Sequence, residues 1–141
     1  MKKTIIFSIA IIYLVSIIVV TFFGMQSRLD QFQVYMTDIE ITSFDQEVNG
    51  NKYLFVDFND EEGYASVFID YDYAPDNATH PDRVSFSLTG NTYTDDNGEI
   101  AYYAEVSANG EVVFYSRKAV VLTIRTTDGS SLADSVTIIC R

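Results

Sequence analysis

Residues 119–140 read AVVLTIRTTDGSSLADSVTIIC. Val120, Leu122 and Ile124 fall at every second position, with Val121, Thr123 and Arg125 between them. Beyond Asp128-Gly129 the same period returns in Val136, Ile138 and Cys140. A period of two belongs to a strand with one face in a core and the other in water. Asp-Gly supplies the left-handed backbone that a tight turn needs. The stretch therefore predicts two strands joined by a turn.

The pattern extends through most of the chain. Ile39 and Ile41 alternate with Asp38, Glu40 and Thr42. Asn49-Gly50 is a turn signal, followed by Leu54, Val56 and Phe58. The polar run Asn59-Asp60-Glu61-Glu62-Gly63 turns the chain. Val67, Ile69, Tyr71 and Tyr73 then share a face. A loop punctuated by Pro75 and Pro81 precedes Val84, Phe86 and Leu88. Asp95-Asp96-Asn97-Gly98 leads to one face formed by Ile100, Tyr102, Ala104 and Val106. Asn109-Gly110 joins that strand to residues 111–115. About eight short strands, with turn signals every 8–12 residues, predict an antiparallel sandwich or barrel. No helical period appears after residue 36.

The N-terminus follows a different rule. Residues 4–25 are twenty-two in a row without a charge, preceded by Lys2 and Lys3. A helix of that length spans roughly 33 Å, enough for a ~30 Å hydrocarbon core. The segment is rich in Ile and Val, but lipid requires every backbone polar group to be satisfied within it, which demands a helix. The rival reading is a cleaved signal peptide, whose apolar core runs about 7–15 residues before a small-x-small site. This run is longer, and Phe22 stands where a small residue is needed. The expectation is an uncleaved anchor. Cys140 is the lone cysteine, far from any N-terminal lipidation position. The run also lacks the glutamate of pilin-like helices. Lys2 and Lys3 place the N-terminus in the cytoplasm and the rest outside, extracellular or periplasmic. The expected organisation is a cytoplasmic stub at 1–3, a transmembrane helix at 4–25, a connector at 26–36 and a β-sandwich at 37–141. Within the connector, Leu29, Phe32 and Met36 fit a helix, whereas Phe32, Val34 and Met36 fit a strand.

After residue 3 there are twenty acidic and seven basic residues, a net charge of −13. Such a surface repels nucleic acid and anionic lipid headgroups, so neither is an expected partner. About 105 residues suffice for one domain with its own core. One cysteine allows no intrachain disulfide.

Residues 38–140 resemble the bacterial immunoglobulin-like group 2 family, the extracellular modules of invasin- and intimin-type surface proteins. Tyr73-Ala74-Pro75-Asp76-Asn77-Ala78-Thr79 matches the family's strand end followed by Pro-x-x-Ala-Thr. Arg83-Val84-Ser85-Phe86-Ser87 is similar to its Val-x-Trp-Ser strand, with Phe86 in place of Trp. Residues 104–112 resemble its Ala-x-Val-x-x-x-Gly-x-Val hairpin. Residues 123–129 with 135–138 resemble its closing strand pair. The chain departs where Lys118 is followed by Ala119 and Val120 rather than Gly, and where residues 90–101 look inserted. Residues 51–58 are also longer and more aromatic than the usual early strand. The resemblance implies an all-β fold: an immunoglobulin-like antiparallel β-sandwich preceded by one N-terminal transmembrane helix. It implies a buried Phe86 and brings no catalytic residues.

Candidate chemistry is sparse. His80, the one histidine, lies in a proline-flanked loop with no nucleophile pattern to serve. Cys140 reads as a buried thiol on an apolar face, with intermolecular pairing as the sharper alternative. Asp70, Asp72 and Asp76 gather around one loop, and Asn59, Asp60, Glu61 and Glu62 around another. Neither has the spacing of a calcium loop. Carboxylates for glycoside hydrolysis would need an apolar cleft with aromatic platforms, and Tyr71 and Tyr73 are expected to point inward. Asn77-Ala78-Thr79 is a glycosylation sequon. The chain is thus expected to have no catalytic, cofactor-binding or metal-binding residues and no cofactor. Its expected partners are the membrane and another protein. The expected role is non-enzymatic binding or adhesion at the cell surface. The alternative is an accessory subunit of a membrane complex that contacts its partner through helix and domain.

Overall fold

The computed structural model describes residues 2–29 and 33–141, with helix side chains at 5–23. Phe32 and its neighbours at 30 and 31, where the sequence left helix and strand open, lie outside the described residues. Two compact units are present, Met1–Val34 and Tyr35–Arg141.

The first unit holds helix α1, Lys2–Leu29. It runs past the expected end at residue 25. The stretch Ile5–Phe23 is long and apolar enough to cross a membrane, and none of it is buried by protein. Two of its hydroxyls are satisfied within the helix: Ser16 donates to the Ile12 carbonyl at 2.8 Å and Thr21 to that of Ile17 at 2.7 Å. That is the arrangement a hydrocarbon environment requires.

The second unit contains twelve short strands. They are β1 Asp38–Ile41, β2 Gln46–Val48, β3 Asn51–Val56, β4 Ala65–Phe68, β5 Tyr71–Ala74, β6 Val84–Thr89, β7 Thr92–Thr94, β8 Ile100–Tyr102, β9 Ala104–Val106, β10 Glu111–Phe114, β11 Ala119–Thr126 and β12 Ala133–Cys140. One layer has the order β2-β3-β12-β11-β6. All its pairs are antiparallel except β3 with β12, which run parallel. The other layer comprises β1-β5 and β4-β10-β9. β4 and β5 are one chain stretch interrupted at Ile69 and Asp70. There the Ile69 N–H donates to the Gly110 carbonyl, and the Asp70 carbonyl accepts from Thr42, so the two ladders join edge to edge.

The buried residues come from the inner faces of both layers. Ile39, Ile41, Ile69, Ala104, Val112 and Phe114 meet Leu54, Val120, Leu122, Ile124, Val136 and Ile138. This is the expected two-layer β-sandwich, antiparallel as expected except at the parallel β3–β12 pair, where two strands distant in sequence are brought side by side in the same direction. The inward faces read from alternation hold in β3, β11 and β12. Tyr71 and Tyr73 pair with Ile41 and Ile39 and so share their inward face. Asn49 and Gly50 both take positive φ, 53° and 80°, as a two-residue hairpin turn requires.

Three features differ from the sequence reading. Met36, placed in the connector, is only 2 % exposed. Its N–H donates to Asp128 at 3.0 Å, so the β-unit begins before residue 37. Phe86 is half-buried on edge strand β6 rather than central. Ile100 and Tyr102 do not share the buried face of Ala104, being 71 % and 48 % exposed. The expected strand over 100–106 breaks at Tyr103. Its N–H donates to the Asn91 carbonyl, while its own carbonyl accepts from Tyr115. β8 is thereby drawn into a separate hairpin with β7, closed by Asp95, whose carboxylate accepts the N–H groups of Asn97 and Glu99.

Gly110 has φ +83°, and a Cβ there would lie 3.0 Å from the Phe86 ring and 3.3 Å from the Ile69 carbonyl. Gly110→Ala should cost about 1–2 kcal/mol from the left-handed backbone alone. Crowding adds to that. Urea melts of the full chain in nonionic detergent would read it, and an unchanged midpoint would contradict this hairpin geometry.

Candidate functional site

β9 is the outermost strand of its sheet. Ala104 points into the core and is fully buried, so the next residue, Glu105, projects from the outer face. β10 alternates in the same way. Phe114 is inward and fully buried, and Tyr115 is outward and 50 % exposed. The Tyr115 N–H donates to the Tyr103 carbonyl at 2.9 Å, carrying the β9–β10 ladder one step past the strand ends. This registers the phenol over Glu105, and its hydroxyl donates to Oε2 at 2.8 Å. The hydrogen bond to Glu105, then burial and the carboxylate charge, raise the Tyr115 pKa above that of an ordinary phenol. Tyr115 is therefore a donor at neutral pH.

The β7–β8 hairpin forms the opposite wall. Tyr93 stacks on Tyr103 with ring centroids 4.4 Å apart and planes 21° from parallel. Asn91 donates from Nδ2 to the Ala104 carbonyl at 3.1 Å, fastening the hairpin's base to β9. Tyr102 on β8 lines, together with Tyr115 and Glu105, an open groove of about 500 Å³, which Leu88, Val106 and Val113 also line. The arrangement combines two exposed aromatic rings, one carboxylate and an apolar wall.

The residues singled out from sequence lie elsewhere. His80 stays in its loop, its carbonyl accepting from Arg83 in a turn. Cys140 is a free thiol, 4 % exposed on the inner face of β12, and burial chiefly raises its pKa. Asp70 falls at the β4–β5 break, where its N–H donates to the Ser43 hydroxyl at 2.6 Å. Asp72 and Asp76 are exposed, and Asp60 pairs with Arg117. Among the described residues, no three His, Cys, Asp or Glu side chains converge as metal ligands would. Asn77 of the sequon is exposed. The groove residues were missed because Tyr102 reads as core by alternation. The available signal was Tyr115, an aromatic residue on the outward phase immediately after the inward Phe114.

No family model and no curated protein matches this chain. Solved structures similar to it include a mutant of intimin from EHEC O157:H7, at 16 % identity and TM-score 0.40. Another is the SGBP-B protein of the Bacteroides ovatus mixed-linkage glucan utilization locus, solved with a mixed-linkage heptasaccharide, at 13 % identity and TM-score 0.41. Each match covers 74 % of this chain, and 47 % and 24 % of the respective neighbours. The chain thus spans about half of the first and a quarter of the second. Neither likeness carries a functional argument.

Proposed function

We propose that this chain is a membrane-anchored, outward-facing module of the bacterial immunoglobulin-like group 2 type, which binds another protein at the cell surface without catalysing a reaction. The observation that carries the reading is the pairing of a bare apolar helix, Ile5–Phe23, with a separate β-unit that has its own core. Lys2 and Lys3 orient the helix with its N-terminus in the cytoplasm. Protease added to intact cells, or to spheroplasts where an outer membrane intervenes, should remove Tyr35–Arg141 and leave a short membrane stub. A mature chain beginning near Gln26 would instead establish cleavage and remove the anchor.

A second reading, an accessory subunit of a membrane complex, is favoured by one face of α1. Tyr13, Ser16 and Val20 lie one above another there, with Ile17 and Thr21 beside them. Helices in lipid associate through small and hydroxyl-bearing residues of this kind. A stoichiometric membrane partner that co-purifies in mild detergent, and is lost on Ser16→Leu, would select this reading.

A further inference from the structure

We propose that the groove between the β7–β8 hairpin and edge strand β9 receives an arginine or lysine side chain from a basic segment of the partner protein. The inference rests on the protein-binding reading above and names the chemistry of its partner.

Charge is the first argument. Glu105 is acceptor-only when ionised, with lone pairs on both oxygens. The Tyr115 hydroxyl occupies Oε2, and no cation pairs with this carboxylate among the described residues. Tyr35–Arg141 carries nineteen acidic and six basic residues, a net charge of −13. An acidic ligand would be repelled at long range and a basic one drawn in.

The rings are the second argument. Aromatic faces attract cations, and this β-unit uses that attraction repeatedly. Lys52 lies over Phe44, Arg117 over Phe58, Lys118 over Tyr103 and Arg141 over Phe55, all within 5.3 Å of the ring centroid. Lys118 on Tyr103 belongs to this same tyrosine cluster. Tyr102 and Tyr115 are half exposed and, among the described residues, hold no such cation. A guanidinium in the groove they line would meet the Glu105 carboxylate beside two exposed rings. The groove is open, with a volume of about 500 Å³, room for one long side chain. Leu88, Val106 and Val113 in the lining offer apolar surface for the stem of a long cationic side chain.

The test uses the full chain in phosphatidylcholine nanodiscs, which carry no net charge to bind the probes. The tyrosines are isotopically labelled for NMR. Three probes are titrated: a blocked Gly-Ala-Arg-Ala-Gly peptide, its citrulline counterpart, and the neutral sugar maltohexaose. Saturable shifts of Tyr102 and Tyr115 with the arginine peptide are expected, weaker by at least about tenfold with citrulline, which has the shape without the charge. Glu105→Gln should weaken arginine binding to the citrulline level, and Tyr102→Leu should weaken it with the carboxylate intact. Both positions are exposed, so unchanged melting would show that the fold survives. Raising ionic strength from about 0.1 M to 1 M shortens the screening length from ~10 Å to ~3 Å and should also weaken binding. Equal shifts from arginine and citrulline, indifference to Glu105→Gln, or shifts from maltohexaose alone would each overturn the proposal. A silent arginine peptide would also overturn the proposal, while the reading above would stand, because that reading is judged by the protease test of topology.

Discussion

Phe114→Ala should destabilise the β-unit by about 3–5 kcal/mol, the range for removing a buried aromatic ring. Phe114 is the largest fully buried side chain among the described residues. It lies on β10, flanked by β4 and β9, so its surroundings cannot collapse without disturbing two ladders. Phe86→Ala should cost clearly less, although the sequence pattern led to the expectation of a buried Phe86. Its strand is at the sheet edge, and its ring packs edge-on against Tyr71 at 6.1 Å and beside Gly110. Transfer free energy follows the apolar area removed from water, and a half-buried ring removes less. Urea melts of the full chain in nonionic detergent, followed by tyrosine signals, would rank the two. A loss below about 1 kcal/mol for Phe114→Ala, or a larger loss for Phe86→Ala, would contradict this packing.

Asp134→Ala should cost about 2–4 kcal/mol, reaching below the roughly 3–5 kcal/mol for removing one partner of a fully buried ion pair, because the Asp134 side chain is 24 % exposed. Lys52 occupies an inward position of β3 and is 9 % exposed. Its ammonium has three donors and three acceptors: Asp134 Oδ2 at 2.7 Å, Glu40 Oε1 at 3.0 Å and the Ile41 carbonyl at 3.0 Å. The same Asp134 oxygen accepts the Ile41 N–H at 2.7 Å, tying β12 of one layer to β1 of the other. Deleting the carboxylate leaves the ammonium with Glu40, whose side chain is 60 % exposed. That remaining partner keeps the loss below that of a fully isolated buried charge.

The pH dependence follows from the same contacts. Burial raises the Asp134 carboxyl pKa, but hydrogen bonds from Lys52 and from the Ile41 and Ser135 amides outweigh it, so the folded value lies below the ordinary one. Asp128 is shifted the same way, burial being outweighed by hydrogen bonds from Ser130 and Met36. These groups contribute stability above their unfolded pKa of about 3.9, and the contribution is lost as pH falls through the lower folded values. Burial lowers the Lys52 pKa, yet its bonds to Asp134 and Glu40 carry it above the ordinary value. Its contribution is complete below about 10.4 and is lost as pH rises through the folded value. Asp134→Ala should shrink both limbs of the stability profile while leaving the acid limb due to Asp128. An unaltered alkaline limb would show that Lys52 does not depend on this carboxylate.

Lys52 also shows where sequence reading ends. By alternation it sits on the inward phase with Leu54 and Val56, a place where an unpaired charge is costly. Its partners are twelve and eighty-two residues away, so nothing local announces them. Tyr102 failed for a related reason. It alternates correctly with Ala104 and Val106, but the chain changes sheets at Tyr103, and hydrogen bonds to Asn91 and Tyr115 make that change. Alternation says which residues share a face of a strand. It does not say whether the strand remains in the same sheet.

By itself the sequence determined what depends on near neighbours. The charge-free run at residues 4–25 specifies a helix long enough for a bilayer, because helix geometry and backbone hydrogen bonding are local. The two-residue period and the Asn-Gly and Asp-Gly turns specify short strands, and the inward faces of β3, β11 and β12 follow from side-chain alternation. Tertiary structure alone decided the parallel pairing of β3 with β12, the joining of β4 and β5 into one layer, the Lys52 cluster and the tyrosine groove. Each depends on which distant strand supplies the next ladder, and a strand's own pattern fits many partners equally well. Burial of the whole core selects among them.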